Sequence, residues 1–382
     1  MIDPARFLEV CRAQGITFFT GVPDSLLKHL NTQIMATLPR EQHVIAANEG
    51  AAAGVAIGHY LRTGAPAAVY LQNSGFGNLV NPLLSLADPD VYGIPMLLIV
   101  GWRGQPGVAD EPQHVTQGRV MGPLLDAMEL PWTVLPPEPA AAERCVAEAV
   151  SQAVAHCRPY VLMVEKGTFG EPSAAPPAAP PAGTALSREE ALKALVDAVG
   201  PEPVIVSTTG MLSRELFEHR VARGESGERD FLTVGGMGHA SAIALGVAMR
   251  EPQREVWCFD GDGALLMHLG NLAVIADHAP DRFFHVVFNN GVHDSVGGQP
   301  TSIDRVDVAA TARAVGYRYA ASTAQIGSLA GEVATMRSYG GPALLELTVR
   351  PGSRPDLGRP TRTPAESKRA FMAALRRVTA AV

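Results

Sequence analysis

The sequence has few cysteines, no long hydrophobic run and no excess of positive charge. Cys11, Cys145, Cys157 and Cys258 stand far apart, which argues against a zinc site of paired cysteines and against a disulfide scaffold. The longest apolar runs, such as residues 96–100, are far shorter than the roughly 20 residues of a membrane span. The first residues also lack the basic and apolar regions of a targeting signal. We therefore expect a reduced, cytoplasmic protein.

Acidic residues outnumber basic ones, 38 against 31, which gives a formal net charge of −7. A negative chain repels phosphodiester backbones and anionic lipid, so we expect neither nucleic acid nor a membrane surface as a partner. Hydrophobic residues make up 47% of the 382 positions. That length exceeds what a single core usually organises, and it indicates two globular domains or three.

One segment differs from the rest in composition. Residues 171–183 read EPSAAPPAAPPAG, with no periodic apolar face and with prolines that disfavour a helix. The segment is predicted to be a linker between a first domain at 1–170 and a second at 184–382.

Both domains alternate short apolar runs with helical patterns. The apolar runs are continuous, which is typical of parallel strands covered on both faces. The predicted strands are residues 17–20, 43–46, 67–71, 96–100 and 160–165 in the first domain, and 204–206, 231–234, 255–259, 284–288 and 343–349 in the second. This pattern predicts an α/β protein with two doubly wound parallel-sheet domains, whose ligands bind beyond the carboxyl ends of the strands.

The clearest local pattern begins with a buried strand ending at Asp260 and the turn Gly261-Asp262-Gly263. One helix is predicted over 264–278, and the next strand ends at Asn289-Asn290. Asp262 and the asparagines should then share a solvent-accessible sheet edge, where their oxygens suit Mg²⁺ and the helix N-terminus suits an anion. The pattern indicates a magnesium-bound diphosphate, although Asp-Gly and Asn-Gly pairs also occur in ordinary turns.

This pattern resembles the thiamine diphosphate-dependent enzymes, whose cofactor motif opens with Gly-Asp-Gly and closes with Asn-Asn. The resemblance implies that Asp262, the side chain of Asn290 and the backbone carbonyl of Val292 hold Mg²⁺. It also implies that Gly261, Gly263 and Ala264 approach the diphosphate of the cofactor.

Two upstream loops match further cofactor contacts of that family. Thr209-Gly210 follows the first strand of the second domain, where the family has another diphosphate-contacting loop. Met237 matches the residue that bends the cofactor, and the carbonyl of Gly235 matches the one that accepts from its 4′-amino group. Met237 could instead be a core residue. The pair Gly236-x-Gly238 could also begin a dinucleotide-binding fingerprint. That interpretation is excluded because Ser241 stands where the third glycine of the fingerprint is required.

Glu49 matches the glutamate that hydrogen-bonds N1′ of the aminopyrimidine in the family and so lets the ring act as a base. It lies between a strand and an Ala/Gly-rich helix, an apolar setting that should raise the pKa of its carboxyl. The alternative is a glutamate that only compensates the helix dipole.

Other stretches resemble the 2-oxoacid decarboxylases of the family. Ser25 and Asn73 are candidates for substrate contact, because Ser25 matches a polar residue facing the substrate and Asn73 stands where an active-site histidine is frequent. His114, on a predicted surface loop, is the candidate for proton transfer, though such a histidine is often inert. Four cations and donors lie nearest the predicted strand ends, namely Arg103, Lys166, Arg214 and His293. Each could equally be a surface charge. His293 is also a candidate for substrate contact.

The chain has no room for the middle domain of larger decarboxylases. It most resembles the two-domain branch that converts 3-phosphonopyruvate to phosphonoacetaldehyde and CO₂ in phosphonate biosynthesis, with the sulfopyruvate branch next. The resemblance implies a homo-oligomer, at least a dimer, because the pyrimidine-side domain of one chain meets the diphosphate-side domain of another. Two alternatives remain, namely a magnesium-dependent phosphatase using Asp260 and Asp262, and a non-catalytic cofactor-binding protein.

Overall fold

The computed structural model describes residues 1–174 and 186–378. Most of the predicted linker, from residue 175 to 183, lies outside the described residues. The chain divides into two compact units, Met1–Ala179 with Val296–Gln299, and Pro180–Ser295 with Pro300–Val382. Each unit contains a six-stranded sheet whose strands pair in parallel, which confirms the predicted fold class.

The first sheet has the strand order β2-β1-β3-β4-β6-β5. Its strands are β1 (Phe19–Gly21), β2 (His43–Ile45), β3 (Ala67–Gln72), β4 (Met96–Gly101), β5 (Trp132–Val134) and β6 (Tyr160–Val164). The α-helices of this unit are α1 (Pro4–Ala13), α2 (Lys28–Thr37), α3 (Glu49–Thr63), α4 (Gly77–Pro82), α5 (Pro112–Ala127) and α6 (Pro139–Ala155).

Helices cover both faces of the first sheet. Leu97 and Ile99 of β4 belong to one apolar cluster, while Leu98 and Val100 belong to another. Alternate side chains of a strand point to opposite faces, so each face of β4 is buried. This explains why the strand reads as a continuous apolar run.

The second sheet has the strand order β13-β14-β10-β9-β7-β8. The strands from residue 186 onwards are β7 (Val204–Ser207), β8 (Asp230–Leu232), β9 (Val256–Gly261), β10 (Phe283–Asn289), β11 (Val292–His293), β12 (Gln299–Pro300), β13 (Tyr319–Thr323) and β14 (Ala343–Thr348). The α-helices are α7 (Arg188–Val199), α8 (Met211–Ala222), α9 (Ala240–Ala248), α10 (Asp262–Met267), α11 (Asn271–His278), α12 (Val308–Val315), α13 (Leu329–Tyr339) and α14 (Pro364–Val378).

The core of the second unit also has two layers. Val256 and Cys258 of β9 pack in one cluster, and Trp257 and Phe259 pack in the other. As in the first unit, the continuous apolar run reflects burial on both faces. Within the described part of the chain, no helix combines the length and the apolar character needed to cross a membrane.

Two expectations about local structure were wrong, and two edge strands were missed. The single helix over 264–278 is two helices, α10 and α11, because the backbone leaves the helical region at His268 and Gly270 begins the next helix. The edge strands β5 and β13 were not predicted. His114 lies in α5 rather than on a surface loop, since Pro112 occupies a first-turn position where proline favours helix initiation.

Candidate active site

The candidate residues of each unit gather where the strand order reverses. In the first sheet, β1 and β3 are neighbours, and the chain continues from them towards opposite edges. In the second sheet, β7 and β9 have the same relation. Ligands of doubly wound sheets bind at the carboxyl ends of such strand pairs. The two positions are therefore binding sites expected from topology alone.

Glu49 is the first residue of α3 and is 4% exposed. Asn48 caps the helix by accepting from the backbone N–H of Ala51, so the helix start does not depend on the glutamate. The Nδ2 of Asn78 donates to Oε2 of Glu49 at 2.6 Å. Burial raises the pKa of the Glu49 carboxyl, and the bond from Asn78 opposes that rise in part.

Gly75 makes room for the Glu49 carboxyl. A Cβ added at this glycine would lie 1.9 Å from Oε1 of Glu49, which no packed structure tolerates. Because residue 75 has no side chain, the Glu49 carboxyl can occupy its position at the carboxyl ends of the strands. Neither supporting residue, Gly75 or Asn78, was predicted from the sequence, although both lie in the stretch after β3.

Ser25, Asn73 and Arg103 follow neighbouring strands, and Arg103 contacts each of the other two. Nη1 of Arg103 donates to Oγ of Ser25 at 3.0 Å. Asn73 joins the loops after β3 and β4, since its Nδ2 donates to the Arg103 carbonyl at 2.8 Å and its Oδ1 accepts from the Arg103 N–H at 3.0 Å. The structure therefore brings together two predicted substrate residues and one of the four candidate cations. The side chain of Asn73 therefore holds the two loops together.

Asp24 is a buried acid of this edge that the sequence analysis did not single out. Its Oδ1 accepts from Nε2 of Gln72 at 2.5 Å, and its Oδ2 accepts from the N–H of Leu26 at 3.1 Å. Burial raises the pKa of the Asp24 carboxyl, while the bond from Gln72 and the charge of Arg103 lower it. These contacts fix the loop that presents Ser25.

His114 is buried in α5, with 8% of its surface exposed. Its Nδ1 has no hydrogen-bond partner among the described residues. Burial lowers the pKa of the imidazole, and the positive charge of Arg103 lowers it further. A neutral imidazole with an unpartnered nitrogen remains able to exchange a proton.

In the second unit, Thr209 and Gly210 lie between β7 and α8. Gly210 has φ +101°, a conformation that other residues rarely adopt, and it stands at the N-cap of α8 without a side-chain cap. The first N–H groups of a 12-residue helix are thus available to an anion. This arrangement suits a phosphate group at the predicted position.

Met237, Gly263 and His293 converge beside the carboxyl end of β9. A Cβ added at Gly263 would lie 2.9 Å from Cε1 of His293 and 3.2 Å from Cε of Met237. Gly235 lies in the same loop as Met237, after β8. Burial lowers the pKa of His293 to about 4, so its imidazole is neutral near pH 7. Met237 is half-buried, which agrees with a side chain that borders a ligand.

Asp262 is 3% exposed, so the expected solvent-accessible position was wrong. It is buried because α10 begins at Asp262 itself, with Gly263 and Ala264 as its next residues. The hydroxyl of Thr301 donates to Oδ2 of Asp262 at 2.5 Å. Burial raises the pKa of Asp262 to about 6. The hydrogen bond from Thr301 and bonds from backbone N–H groups lower this pKa, but they do not offset the effect of burial.

Asn290 and Val292 follow β10, the strand beside β9. Oδ1 of Asn290 accepts from the N–H of Val292 at 3.1 Å, and its Nδ2 donates to Asp294 at 3.0 Å. Asn289 shapes the turn, since its Oδ1 accepts from the N–H of Gly291 at 3.0 Å. The asparagine amide is thereby oriented, and the Val292 carbonyl lies in the same turn.

These residues fit a magnesium-bound diphosphate. No salt bridge joins Asp262 to a lysine or arginine within residues 1–174 and 186–378. Its buried carboxylate therefore lacks a counter-charge, which a divalent cation would supply. The available donors are carboxylate, amide and carbonyl oxygens, the types that Mg²⁺ prefers. At Gly261, nothing lies within 4 Å of the position that a Cβ would occupy, so the backbone nearby is open.

Comparison with known proteins matches both units to one family. Residues 5–130 match the model "Thiamine pyrophosphate enzyme, N-terminal TPP binding domain", and residues 209–347 match "Thiamine pyrophosphate enzyme, C-terminal TPP binding domain". The chain is 39% identical to a phosphonopyruvate decarboxylase from Streptomyces viridochromogenes, over 98% of this chain and 95% of the relative. The chain belongs to the thiamine diphosphate-dependent decarboxylases.

Two further relatives of this decarboxylase family support the assignment. A phosphonopyruvate decarboxylase from Streptomyces hygroscopicus is 38% identical over 97% of this chain and 93% of its own length. A sulfopyruvate decarboxylase from Methanosarcina acetivorans is 26% identical over 91% of each chain. Apart from the candidate cation Lys166, all the predicted site residues lie within the two matched ranges. The chain is thus a carboxy-lyase with two thiamine diphosphate-binding domains, and the phosphatase and non-catalytic alternatives are set aside.

Proposed function

We propose that this decarboxylase acts on 3-phosphonopyruvate, with thiamine diphosphate and Mg²⁺, and releases CO₂ and phosphonoacetaldehyde in phosphonate biosynthesis. The observation that carries the proposal is the near-full-length similarity to two phosphonopyruvate decarboxylases at 38% and 39% identity. The sulfopyruvate decarboxylase is less similar, at 26%. Sulfopyruvate is therefore the second candidate substrate.

Asp262, Asn290 and the Val292 carbonyl are proposed to hold Mg²⁺. The buried carboxylate of Asp262 and the oriented amide of Asn290 support this role. The N-terminus of α8 at Thr209-Gly210, with Gly261, Gly263 and Ala264, is proposed to receive the diphosphate. Gly235 and Met237 are proposed to contact the aminopyrimidine ring.

When bound, thiamine diphosphate supplies the electron sink for cleavage of the bond between the carboxyl group and the 2-oxo carbon. Glu49 is proposed to hold a proton at N1′ of the aminopyrimidine, a role that its raised pKa supports. Ser25 and His293 are proposed to contact the substrate. After CO₂ leaves, the former 2-oxo carbon must gain one proton, and His114 is the proposed donor, once its imidazole has taken up a proton from solvent.

The test is turnover by the purified protein supplied with thiamine diphosphate and Mg²⁺. Phosphonopyruvate, sulfopyruvate and pyruvate are compared at equal concentration by CO₂ release, and the phosphonate product is identified by ³¹P NMR. We expect phosphonoacetaldehyde and the highest kcat/KM with phosphonopyruvate. A higher kcat/KM with sulfopyruvate would replace the proposal by its alternative, and no turnover of either acid would refute both.

Two properties remain predictions. A homo-oligomer, at least a dimer, is proposed because the family joins domains of different chains around the cofactor. A cytoplasmic location is proposed from the wide spacing of the four cysteines in the sequence.

A further inference from the structure

The guanidinium of Arg103 is held in one orientation by Asp110. Nε of Arg103 donates to Oδ2 of Asp110 at 2.8 Å, and Nη2 donates to Oδ1 of the same carboxylate. Such a bidentate pair fixes the plane of an arginine, whereas a lysine in its place would remain a mobile point charge. The Arg103 side chain is 20% exposed, so the oriented group is accessible.

The backbone on either side of this pair is also fixed. Asn73 holds Arg103 through two hydrogen bonds, and the N–H of Gly104 donates to Oδ2 of Asp110 at 2.8 Å. Gly104 has φ +69° and packs against His114, since an added Cβ would lie 1.9 Å from the His114 carbonyl oxygen. The backbone and the side chain of Arg103 are therefore both held in place by neighbouring residues, unlike those of a surface arginine on a flexible loop.

A further nitrogen of the guanidinium, Nη1, is directed at Ser25 and not at Asp110. Nη1 donates to Ser25, the residue proposed to contact the substrate. The bonds to Asp110 and Ser25 use three of the five N–H groups of arginine. Arg103 stays protonated, because its pKa is raised above an already high value, first by the hydrogen bond to Asp110. A permanent positive charge therefore stands beside Ser25.

A substrate of the proposed kind needs such a group. 3-Phosphonopyruvate differs from pyruvate by a phosphonate on C3, a tetrahedral oxyanion that arginine binds with directed hydrogen bonds. Lys166, another candidate cation, is exposed after β6 and lacks a partner that would orient it among the contacts described. Of these two, Arg103 has the geometry of a recognition residue.

We propose that Arg103, oriented by Asp110 and adjacent to Ser25, selects 2-oxoacids that carry a phosphonate or sulfonate oxyanion on C3 over pyruvate. This inference rests on the proposed function and adds the residue that sets its substrate class. Arg103 acts by binding the distal group, and Asp110 is a positioning residue. The reacting 2-oxo carbon needs neither of them.

The experiment compares Arg103→Gln and Arg103→Lys with the wild-type holoenzyme on phosphonopyruvate and on pyruvate. One lost charge-assisted hydrogen bond should lower kcat/KM for phosphonopyruvate about 10- to 100-fold, mainly through KM, in Arg103→Gln. Turnover of pyruvate should stay the same or rise. Arg103→Lys should restore part of the affinity because it keeps the charge. Arg119→Gln, at an exposed position of α5, is the matched control and should behave as wild type.

A binding measurement separates recognition from catalysis. Phosphonoacetate, which has no 2-oxo group to react, should bind the wild-type holoenzyme in calorimetric titration and bind Arg103→Gln about 10- to 100-fold more weakly. The double variant Arg103→Gln/Asp110→Asn removes both charges, so it avoids an unpaired Asp110 and should show the same loss while keeping the fold.

The outcomes are distinct. If the wild type does not turn over phosphonopyruvate or sulfopyruvate, the proposed function fails and the recognition role fails with it. If the wild type is active but the folded variants keep its preference for phosphonopyruvate over pyruvate, the role of Arg103 alone is overturned. An equal loss on phosphonopyruvate and pyruvate would also overturn it, since a residue that recognises the distal group cannot affect a substrate lacking one.

Discussion

Replacing Glu49 by Gln should separate cofactor binding from chemistry. The Nδ2 of Asn78 donates to Oε2 of Glu49 at 2.6 Å, and the amide oxygen of Gln can accept the same bond. The shape and this contact therefore persist, and the variant loses only the acid. General acid–base catalysis contributes about 10²–10⁴ in rate, equal to about 2.7–5.4 kcal/mol of barrier, so we expect a turnover loss of that size.

Two measurements check this expectation. Turnover with phosphonopyruvate reports the overall loss, and hydrogen–deuterium exchange at C2 of the bound cofactor, followed by NMR, reports the step that depends on the aminopyrimidine. Glu138→Gln is the matched control, because Glu138 stands at the exposed N-terminus of α6. An unchanged C2 exchange rate in Glu49→Gln would remove Glu49 from the mechanism.

The same variant should be no less stable than the wild type. Burial raises the pKa of Glu49 above its ordinary value of 4.5, so the folded chain holds this proton to a higher pH than the unfolded chain. Stability of the cofactor-free wild type must then fall as pH rises between the two pKa values, a loss that Gln does not suffer. The Tm of Glu49→Gln relative to wild type should therefore increase from pH 5 to pH 8. A helix-dipole role predicts the opposite, a stability loss of about 0.3–1 kcal/mol at pH 8.

Three further predictions concern the cofactor site. Asp262→Ala should abolish Mg²⁺-dependent retention of thiamine diphosphate in equilibrium dialysis, because the buried charged ligand is lost; unchanged affinity would contradict the metal assignment. Gly75→Ala should reduce turnover at least about 10-fold, since its Cβ would displace the Glu49 carboxyl, while Gly77→Ala, whose Cβ would meet nothing within 4 Å, should stay active. Light scattering should find at least a dimer, and an active monomer at micromolar concentration would refute the assembly.

The central strands and the cofactor motif were predictable from the sequence because both depend on strong local patterns. A run such as residues 96–100 is apolar throughout because both faces of β4 are covered. Of the four edge strands, β2 and β8 were predicted, whereas β5 and β13 were not. Residues 319–323 of β13 read YAAST, which lacks the bulky apolar side chains of a central strand. Strands β5 and β13 are defined by their pairing with a neighbouring strand in the folded chain. The local sequence pattern does not indicate that pairing.

The burial of site residues was harder to predict than their identity. Asp262 was expected at an accessible strand end, but α10 begins at that residue and Thr301, 39 positions away, covers it. His114 was placed on a loop although Pro112 signalled a helix start. Asn78 in α4 bonds Glu49 in α3 across 29 positions of sequence, a contact that local pattern does not report. Sequence spacing therefore located the site but not the environment that sets its pKa values.

The buried acids of this chain differ in whether they have a counter-charge. Glu215 is paired with Arg188 at 2.9 Å, and Asp230 with Arg220 at 2.8 Å, so each buried carboxylate has its counter-charge. Glu49 and Asp262 have no such arginine or lysine partner within residues 1–174 and 186–378. An unpaired buried carboxylate destabilises the fold, and stability alone favours an arginine partner or an apolar residue at these positions. The cost is understandable if ligands complete both environments, a ring nitrogen at Glu49 and a divalent cation at Asp262.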